Sequence, residues 1–231
     1  MTEQLFGRLQ ACHDVSPHRA AMNMAVDEAL LESASISTIR FYRWRSPALS
    51  FGYFGKFTDV AIYASERDLV RRWTGGGIVF HGEDLTYSIV IPTSDAAFDK
   101  SSIAIYEKIH RALCQALVVM GHCAEVVGSA RCADPTPQRS FPTNNCFANP
   151  VRADVMIDDR KIAGAAQRRT RRGLLQQGSI QGITLSNDFA RKFAQALSAN
   201  CIEFKINEEV LRRAKELALQ KYGTESWLRK R

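Results

Sequence analysis

Arg71-Arg72-Trp73-Thr74-Gly75-Gly76-Gly77-Ile78-Val79-Phe80-His81 is the stretch on which the reading of this chain turns. Two arginines lead into three consecutive glycines, and a β-branched, apolar run carries the chain on to a lone histidine. Without a Cβ, glycine lets backbone N–H groups come close to a bound molecule. Arginine forks onto a carboxylate or phosphate and neutralises it. The segment therefore reads as a binding loop between two strands, built for an acyl or phosphoryl group. A glycine turn flanked by solvated arginines is the other reading of the same residues.

Working outward, apolar periodicity and breakers define the elements. Ala20–Ala34 reads as an amphipathic helix just after Pro17. Thr38–Trp44 and Ala48–Tyr53 read as a strand pair broken by Arg45-Ser46-Pro47. Leu69–Arg72 and Gly77–Phe80 are strands on either side of the glycine loop, and Leu85–Ile91 is a strand ended by Pro92. Ser101–Met120 is a helix with Ile105, Ile109, Leu113 and Leu117 on one face. Residues 133–150 form a long aperiodic loop, of the kind that often carries function. Asp154–Ile157 and Lys161–Ala166 form a hairpin around Asp158-Asp159-Arg160, and Leu174–Ile180 is a further strand. Asn187–Ser198 and Asn207–Tyr222 are helices. A strand-rich middle bracketed by helices gives an α+β fold, a mixed β-sheet core flanked by helices, in a single domain over residues 1–231.

The bulk properties narrow the classes. The chain has 231 residues, 45% of them hydrophobic and 24% charged, as expected of a soluble globular protein. No apolar run is long enough to span a bilayer, and no basic-then-apolar leader opens the sequence. Six cysteines are scattered without CxxC pairs, which argues for a reducing cytoplasm and against a zinc site or disulfide framework. The formal net charge of +7 suits an acidic partner. The aromatics do not interleave with the basic residues in the manner of an RNA-binding surface, so nucleic acid is disfavoured.

Two further features carry chemistry. Cys146 lies on the polar loop, in Asn144-Asn145-Cys146-Phe147-Ala148-Asn149-Pro150, and Lys161 follows fifteen residues later at the start of the return strand. A loop cysteine becomes a nucleophile when a nearby cation favours the thiolate, and Lys161 supplies that cation if the loop folds back over the hairpin. Otherwise Cys146 is a buried thiol and Lys161 a solvated strand-end lysine. Gly164-Ala165-Ala166 gives a strand on which a ligand can lie against the backbone. Arg168, Arg169, Arg171 and Arg172 form either a solvated turn or a rim for an acidic protein. His81 is an acid, a base or a hydrogen-bonded structural residue.

Taken together, the motifs resemble the lipoate–protein ligase and octanoyltransferase family of the biotin/lipoate ligase superfamily. The resemblance rests on the Arg71–His81 stretch, Asn23–Leu31, Arg40–Trp44 with Pro47–Gly52, Asp84–Ser88, and Asp159–Arg168 with Leu174–Ser179. It implies a biotin/lipoate ligase-like catalytic domain without a separate accessory domain. Cys146-Phe147-Ala148-Asn149-Pro150 is similar to the cysteine motif of the single-chain octanoyltransferases. Carried over, Cys146 would be the acyl-thioester nucleophile and Lys161 would lower its pKa and orient the acyl carbonyl. Arg72, Gly75, Gly76, Gly77, His81, Gly164, Ala165 and Ala166 would line the acyl site. The chain departs from the family at Gly52-Tyr53-Phe54-Gly55-Lys56, where relatives usually place a glutamine, and at Ala153-Asp154-Val155, where the transferases often have a glutamate.

The resemblance implies transfer of octanoyl or lipoyl from acyl carrier protein to a lysine of a lipoyl domain, in the glycine-cleavage H protein or a dehydrogenase E2, with no cofactor. It also admits an ATP- and Mg-dependent lipoate ligase working through lipoyl-adenylate. A non-catalytic subunit that binds lipoyl domains is a more remote reading.

Overall fold

The computed structural model describes residues 4–128 and 151–230. In chain order these contain β1 (Leu9–His13), α1 (Ala20–Ser33), β2 (Thr38–Tyr42), β3 (Ala48–Phe51), β4 (Asp68–Arg71), β5 (Val79–His81), β6 (Leu85–Pro92) and α2 (Ser102–Val119). There follow β7 (Ala124–Val126), β8 (Val155–Ile157), β9 (Arg160–Arg169), β10 (Gly173–Ile180), α3 (Phe189–Leu197), β11 (Cys201–Glu203), α4 (Glu208–Leu217) and α5 (Glu225–Leu228).

A mixed sheet of eight strands runs in the order β11-β1-β2-β6-β10-β9-β8-β7, and a second sheet runs β4-β3-β5. Strand β1 is parallel to both β11 and β2, while β2, β6, β10 and β9 are successively antiparallel. The period-two alternation of β6 decides what each face holds. Tyr87, Ile89 and Ile91 join the core under α2 and α3, with Ile105, Ile109, Leu113 and Phe193. Val90 faces the opposite way, with Leu175 of β10, into the core under α1 and α4. The polar Ser88, on the same face as Val90, meets Asp27 of α1.

The helix ends follow local chemistry. Ser101 Oγ accepts from Ala104 N at 3.2 Å to start α2, and Asn207 Oδ1 accepts from Val210 N at 2.9 Å to start α4. Helix α1 has no such side-chain cap. It is buried nearly all round from Ala20 to Leu31, including Asn23, Asp27 and Glu28, so tertiary contacts rather than propensity hold it.

Two expectations meet different outcomes. The hairpin around Asp158-Asp159 forms, with both residues at positive φ (47° and 59°) and Ile157 opposite Arg160, as a two-residue turn of the primed kind requires. The expected pairing of Thr38–Trp44 with Ala48–Tyr53 does not form. Both hydrogen-bonding edges of β2 are occupied, by β1 and by β6, so β3 turns away at Pro47 and pairs with β4 and β5 instead.

The second sheet is tied to the C-terminal segment by Arg71. Its buried guanidinium donates to the carbonyls of Tyr53, Gly55, Trp227, Leu228 and Lys230 at 2.7–3.3 Å and lies over the Phe51 ring. Trp227 Nε1 returns a bond to Arg71 O at 3.0 Å.

On the other face, His110 of α2 is fully buried between Ala153 O (2.6 Å) and Tyr87 Oη (3.0 Å). Burial depresses its pKa from the ordinary 6.5 to about 4. The unfolded chain therefore takes up a proton near 6.5 that the folded chain refuses. The stability His110 contributes is complete above that pH and is lost as pH falls toward 4, by up to about 1.4 kcal/mol per pH unit. Denaturant unfolding at pH 7 and pH 5 should show a shallower pH dependence in His110→Gln than in the parent protein.

Candidate active site

A slim cleft lies between the two sheets. Its floor crosses the large sheet along Gly164, Ser179, Thr86 and Tyr42, neighbours in register on β9, β10, β6 and β2. Ser50, Arg72, Val79 and His81 roof it, Met24 of α1 closes one side and Trp44 one end. Gly164 and the small Ala166 keep that floor low, while Gly178 lets β10 pack down on Tyr87 beneath it. A Cβ on Gly178 would fall 2.3 Å from Tyr87 Cζ beneath it.

The glycine loop is held from inside. Gly76 takes φ +86°, which suits glycine. Arg72 curls back under the loop, donating through Nη2 to Gly75 O (3.0 Å) and Gly77 O (2.8 Å) and through Nη1 to Ser50 Oγ (2.7 Å). Gly52 passes so near that a Cβ there would lie 2.0 Å from Gly76 O. Thr74 Oγ1 donates to Gln177 Oε1 (2.8 Å), and Gln177 Nε2 donates to Asp27 Oδ2 (2.7 Å). Arg72 thus lines the cleft while shaping the loop.

His81 sits in a second relay. Its Nδ1 meets Asp84 Oδ2 at 2.8 Å and its Nε2 meets Ser50 Oγ at 2.7 Å, while Trp44 stacks on the ring at 4.0 Å. Asp84 also accepts from Thr86 Oγ1, Ser179 Oγ and Gly82 N. Burial works to raise the Asp84 carboxyl, but bonds from His81, Ser179 and Gly82 outweigh it and hold it below the usual range. Burial lowers the His81 pKa, with Asp84 only partly opposing. A neutral imidazole then donates from Nδ1 to Asp84 and accepts at Nε2 from the Ser50 hydroxyl, whose oxygen in turn accepts from Arg72. The Ser–His–Asp order resembles a nucleophilic triad. Here, however, Ser50 is fully buried and its oxygen already takes an Arg72 N–H. The relay therefore fixes the loop, and His81 serves as an organiser of the wall.

Lys161 is delivered to the same cleft by the hairpin. Its Nζ forms an ion pair with Asp154 Oδ2 at 2.7 Å, with both side chains at most 2% exposed. Asp154 also accepts from Val151 N (2.7 Å) and from Tyr106 Oη (2.7 Å), and Tyr106 Oη accepts from Ala165 N (3.1 Å). The lysine crosses directly over Gly164, where a Cβ would meet Cε at 2.6 Å and Nζ at 2.8 Å. A charge buried this fully has to be paired, and Asp154 with Tyr106 keeps the ammonium at the Gly164 end of the cleft.

The structure therefore brings Arg72, the Gly75–Gly77 loop, His81, Lys161 and Gly164–Ala166 together. Cys146 lies outside the described residues. Among the described residues Cys12, Cys114, Cys123 and Cys201 are free thiols. Burial pushes Cys12 up to about 11 and raises Cys114 and Cys201, which makes them poor nucleophiles. The sequence reading noted Asp154 only as a departure from a family glutamate, without its part in holding Lys161, and missed Tyr106. Tyr106, forty-eight residues from Asp154 on a helix otherwise patterned for the core, gave no signal.

The family model for the lipoyl protein ligase A/B catalytic domain matches residues 19–217. The chain belongs to that family. Octanoyltransferase LipM of Oceanobacillus iheyensis is 38% identical over 177 residues, which cover 71% of this chain and 61% of that protein. Octanoyltransferase LipM of Brevibacillus brevis is 28% identical over 90% of this chain and 94% of its own length. Among solved structures, lipoate-protein ligase A bound with ATP superposes with a TM-score of 0.73 at 24% identity, over 96% of this chain and 98% of that one. An archaeal bi-partite lipoate protein ligase from Thermoplasma acidophilum gives 0.72 at 21% identity, over 95% of each chain. These structures share the fold of this lipoyl protein ligase A/B catalytic domain.

Gly164→Ala tests the delivery of Lys161. The added methyl meets the flexible end of the lysine, not backbone, so the fold should survive while the ammonium moves. Turnover should fall about a hundredfold, and the disturbed Lys161–Asp154 pair should lower the melting temperature without loss of the fold, read by steady-state kinetics beside thermal unfolding.

Proposed function

We propose that this chain is an octanoyltransferase of protein lipoylation, which moves an octanoyl group from acyl carrier protein through Cys146 to a lysine of a lipoyl domain. One observation carries this reading: a buried, carboxylate-paired Lys161 crosses Gly164, at the edge of a slim cleft between the two sheets. The octanoyltransferase relatives support the choice of acyl group.

The Cys146 thiolate attacks the thioester carbonyl of the octanoyl donor, forming a carbon–sulfur bond and a tetrahedral oxyanion. The Lys161 ammonium, held by Asp154 and Tyr106, donates to that oxyanion. Its collapse expels the carrier's thiolate and leaves octanoyl on Cys146. The neutral amine of the acceptor lysine then attacks the new thioester, Cys146 departs as thiolate, and the amine's proton goes to solvent. The final amide is more stable than the thioester it replaces, so the second step runs downhill without nucleotide or metal. The octanoyl chain lies over Gly164, Ala165 and Ala166 beneath the glycine loop, away from water. The acceptor is a lipoyl domain of the H-protein or dehydrogenase E2 kind, and the reaction belongs to the cytoplasm.

Intact-protein mass spectrometry after incubation with octanoyl-acyl carrier protein should show one octanoyl adduct that hydroxylamine removes. The adduct should be absent in Cys146→Ala and should form 10²–10³-fold more slowly in Lys161→Ala, about the cost of removing one oxyanion donor. An adduct that persists in Cys146→Ala overturns the nucleophile. Release of pyrophosphate that needs both ATP and lipoate, undiminished in Cys146→Ala, overturns transfer in favour of ligation.

A further inference from the structure

The basic run after the hairpin does not act as one surface. Arg169 is turned onto the carbonyls of Phe98 (2.7 Å) and Lys100 (2.6 Å) and onto the Phe98 ring, and Arg172 pairs with Glu32 at 3.3 Å. Arg168 points elsewhere. Its guanidinium lies over Tyr53 (4.9 Å) and Trp73 (5.0 Å). Lys230 lies over Tyr53 (5.0 Å) and Trp227 (5.1 Å), and Lys221 over Trp73 (4.5 Å) and Trp227 (4.4 Å). Lys221 is neutralised by Glu28 at 2.6 Å. Among the described residues, Arg168 and Lys230 have no carboxylate partner. A hydrogen bond from Lys230, with the charges of Arg168 and Lys221, draws the Tyr53 phenol below its usual pKa, so the patch is electropositive. Beside it Phe54 stands 84% exposed, edge-on to Tyr53.

This patch adjoins the roof of the cleft. Tyr53 N donates to Thr74 O at 2.9 Å, Trp73 precedes the glycine loop, and Arg168 follows Ala166 on the same face of β9. It lies far from the reacting end, however. Arg168 is seven residues beyond Lys161, roughly 23 Å at the usual strand rise. An acceptor lysine, on a four-carbon stem, must bring its own domain up to Lys161 itself. A donor whose acyl group hangs on a long thiol arm can dock its body a long way off.

Resting on the transferase reading above, we propose that Arg168 and Lys230, with the exposed Phe54, form the docking patch for the acidic body of the acyl-carrier donor. Charge complementarity calls for an acidic partner, and tether length favours the donor over the acceptor. The aromatic faces hold the two cations in place, so little side-chain freedom is lost on binding.

The test compares three substrates in Arg168→Glu/Lys230→Glu and in the single, exposed Lys230→Glu. With octanoyl-acyl carrier protein, kcat/KM of the double variant should fall about tenfold or more through KM, and its dependence on ionic strength should flatten. With octanoyl-pantetheine, which has the arm's thiol but no carrier body, kcat/KM should match the parent's. The KM for the lipoyl domain should also be unchanged. Lys230→Glu should show a smaller effect in the same pattern. Equal loss with octanoyl-pantetheine would reduce the residues to a structural role. A raised KM for the lipoyl domain alone would make the patch the acceptor's, and parent-like kinetics throughout would make it solvated surface. Any of these three overturns the proposal. If the parent protein transfers octanoyl from neither donor, the transferase reading itself fails.

Discussion

Asp27 of α1 is fully buried, and everything that meets its carboxylate must supply a hydrogen. Arg40 Nη1 (2.8 Å) and Ser88 Oγ (2.7 Å) bond one oxygen, while Gln177 Nε2 (2.7 Å) and Tyr42 Oη (3.1 Å) bond the other. An unpaired buried carboxylate is costly enough that this set is close to obligatory. The set spans α1, β2, β6 and β10, which fixes the helix over the sheet and fixes the rotation of the strands that floor the cleft. Through Gln177 the same carboxylate reaches Thr74 and so the glycine loop. Asp84 repeats the arrangement beneath His81 and couples β5 of the small sheet to β6 and β10 of the large one. The cleft is the gap these two hubs leave between the sheets.

The cleft therefore has an apolar-lined passage inside a polar frame. The missing side chain at Gly164 leaves room where Lys161 crosses the floor, and among the described residues Lys161 brings the buried ammonium. The two halves are complementary: a saturated chain gains from the dry passage, and only its carbonyl end needs a charge. Arg72 illustrates the division of labour. On sequence grounds it invites a ligand anion, yet its Nη2 is committed to Gly75 O and Gly77 O and its Nη1 to Ser50.

Much of the scaffold was legible. Ile105, Ile109, Leu113 and Leu117 repeat every fourth residue, and Ser101 and Asn207 are ordinary N-caps, so α2 and α4 could be read directly. The hairpin at Asp158-Asp159 was legible because few residues tolerate positive φ. Strands β1, β7 and β11 were not, since LQACH, AEV and CIE are too short to show a period and depend on neighbours for their edges. The separation of β2 from β3 was hidden for the same reason: pairing depends on which edges are already taken. At the site, Lys161, Gly164 and the glycine loop announced themselves by type and spacing. Ser50, Asp84, Asp154 and Tyr106 are unremarkable residues far apart in sequence, and only the folded sheet brings them into contact.

Arg71 ends β4 and Arg72 follows it, and the two point opposite ways, Arg72 to the glycine loop and Arg71 to Trp227, Leu228 and Lys230. The second set of contacts closes a loop of more than 150 residues. During synthesis, the guanidinium of Arg71 emerges long before three of its five carbonyl partners exist. Contacts of such sequence separation form late, because their loop-closure entropy has to be met first. The strand leading into the glycine loop thus waits on the Trp227–Lys230 segment, and its anchoring is complete only after Lys230 has left the ribosome.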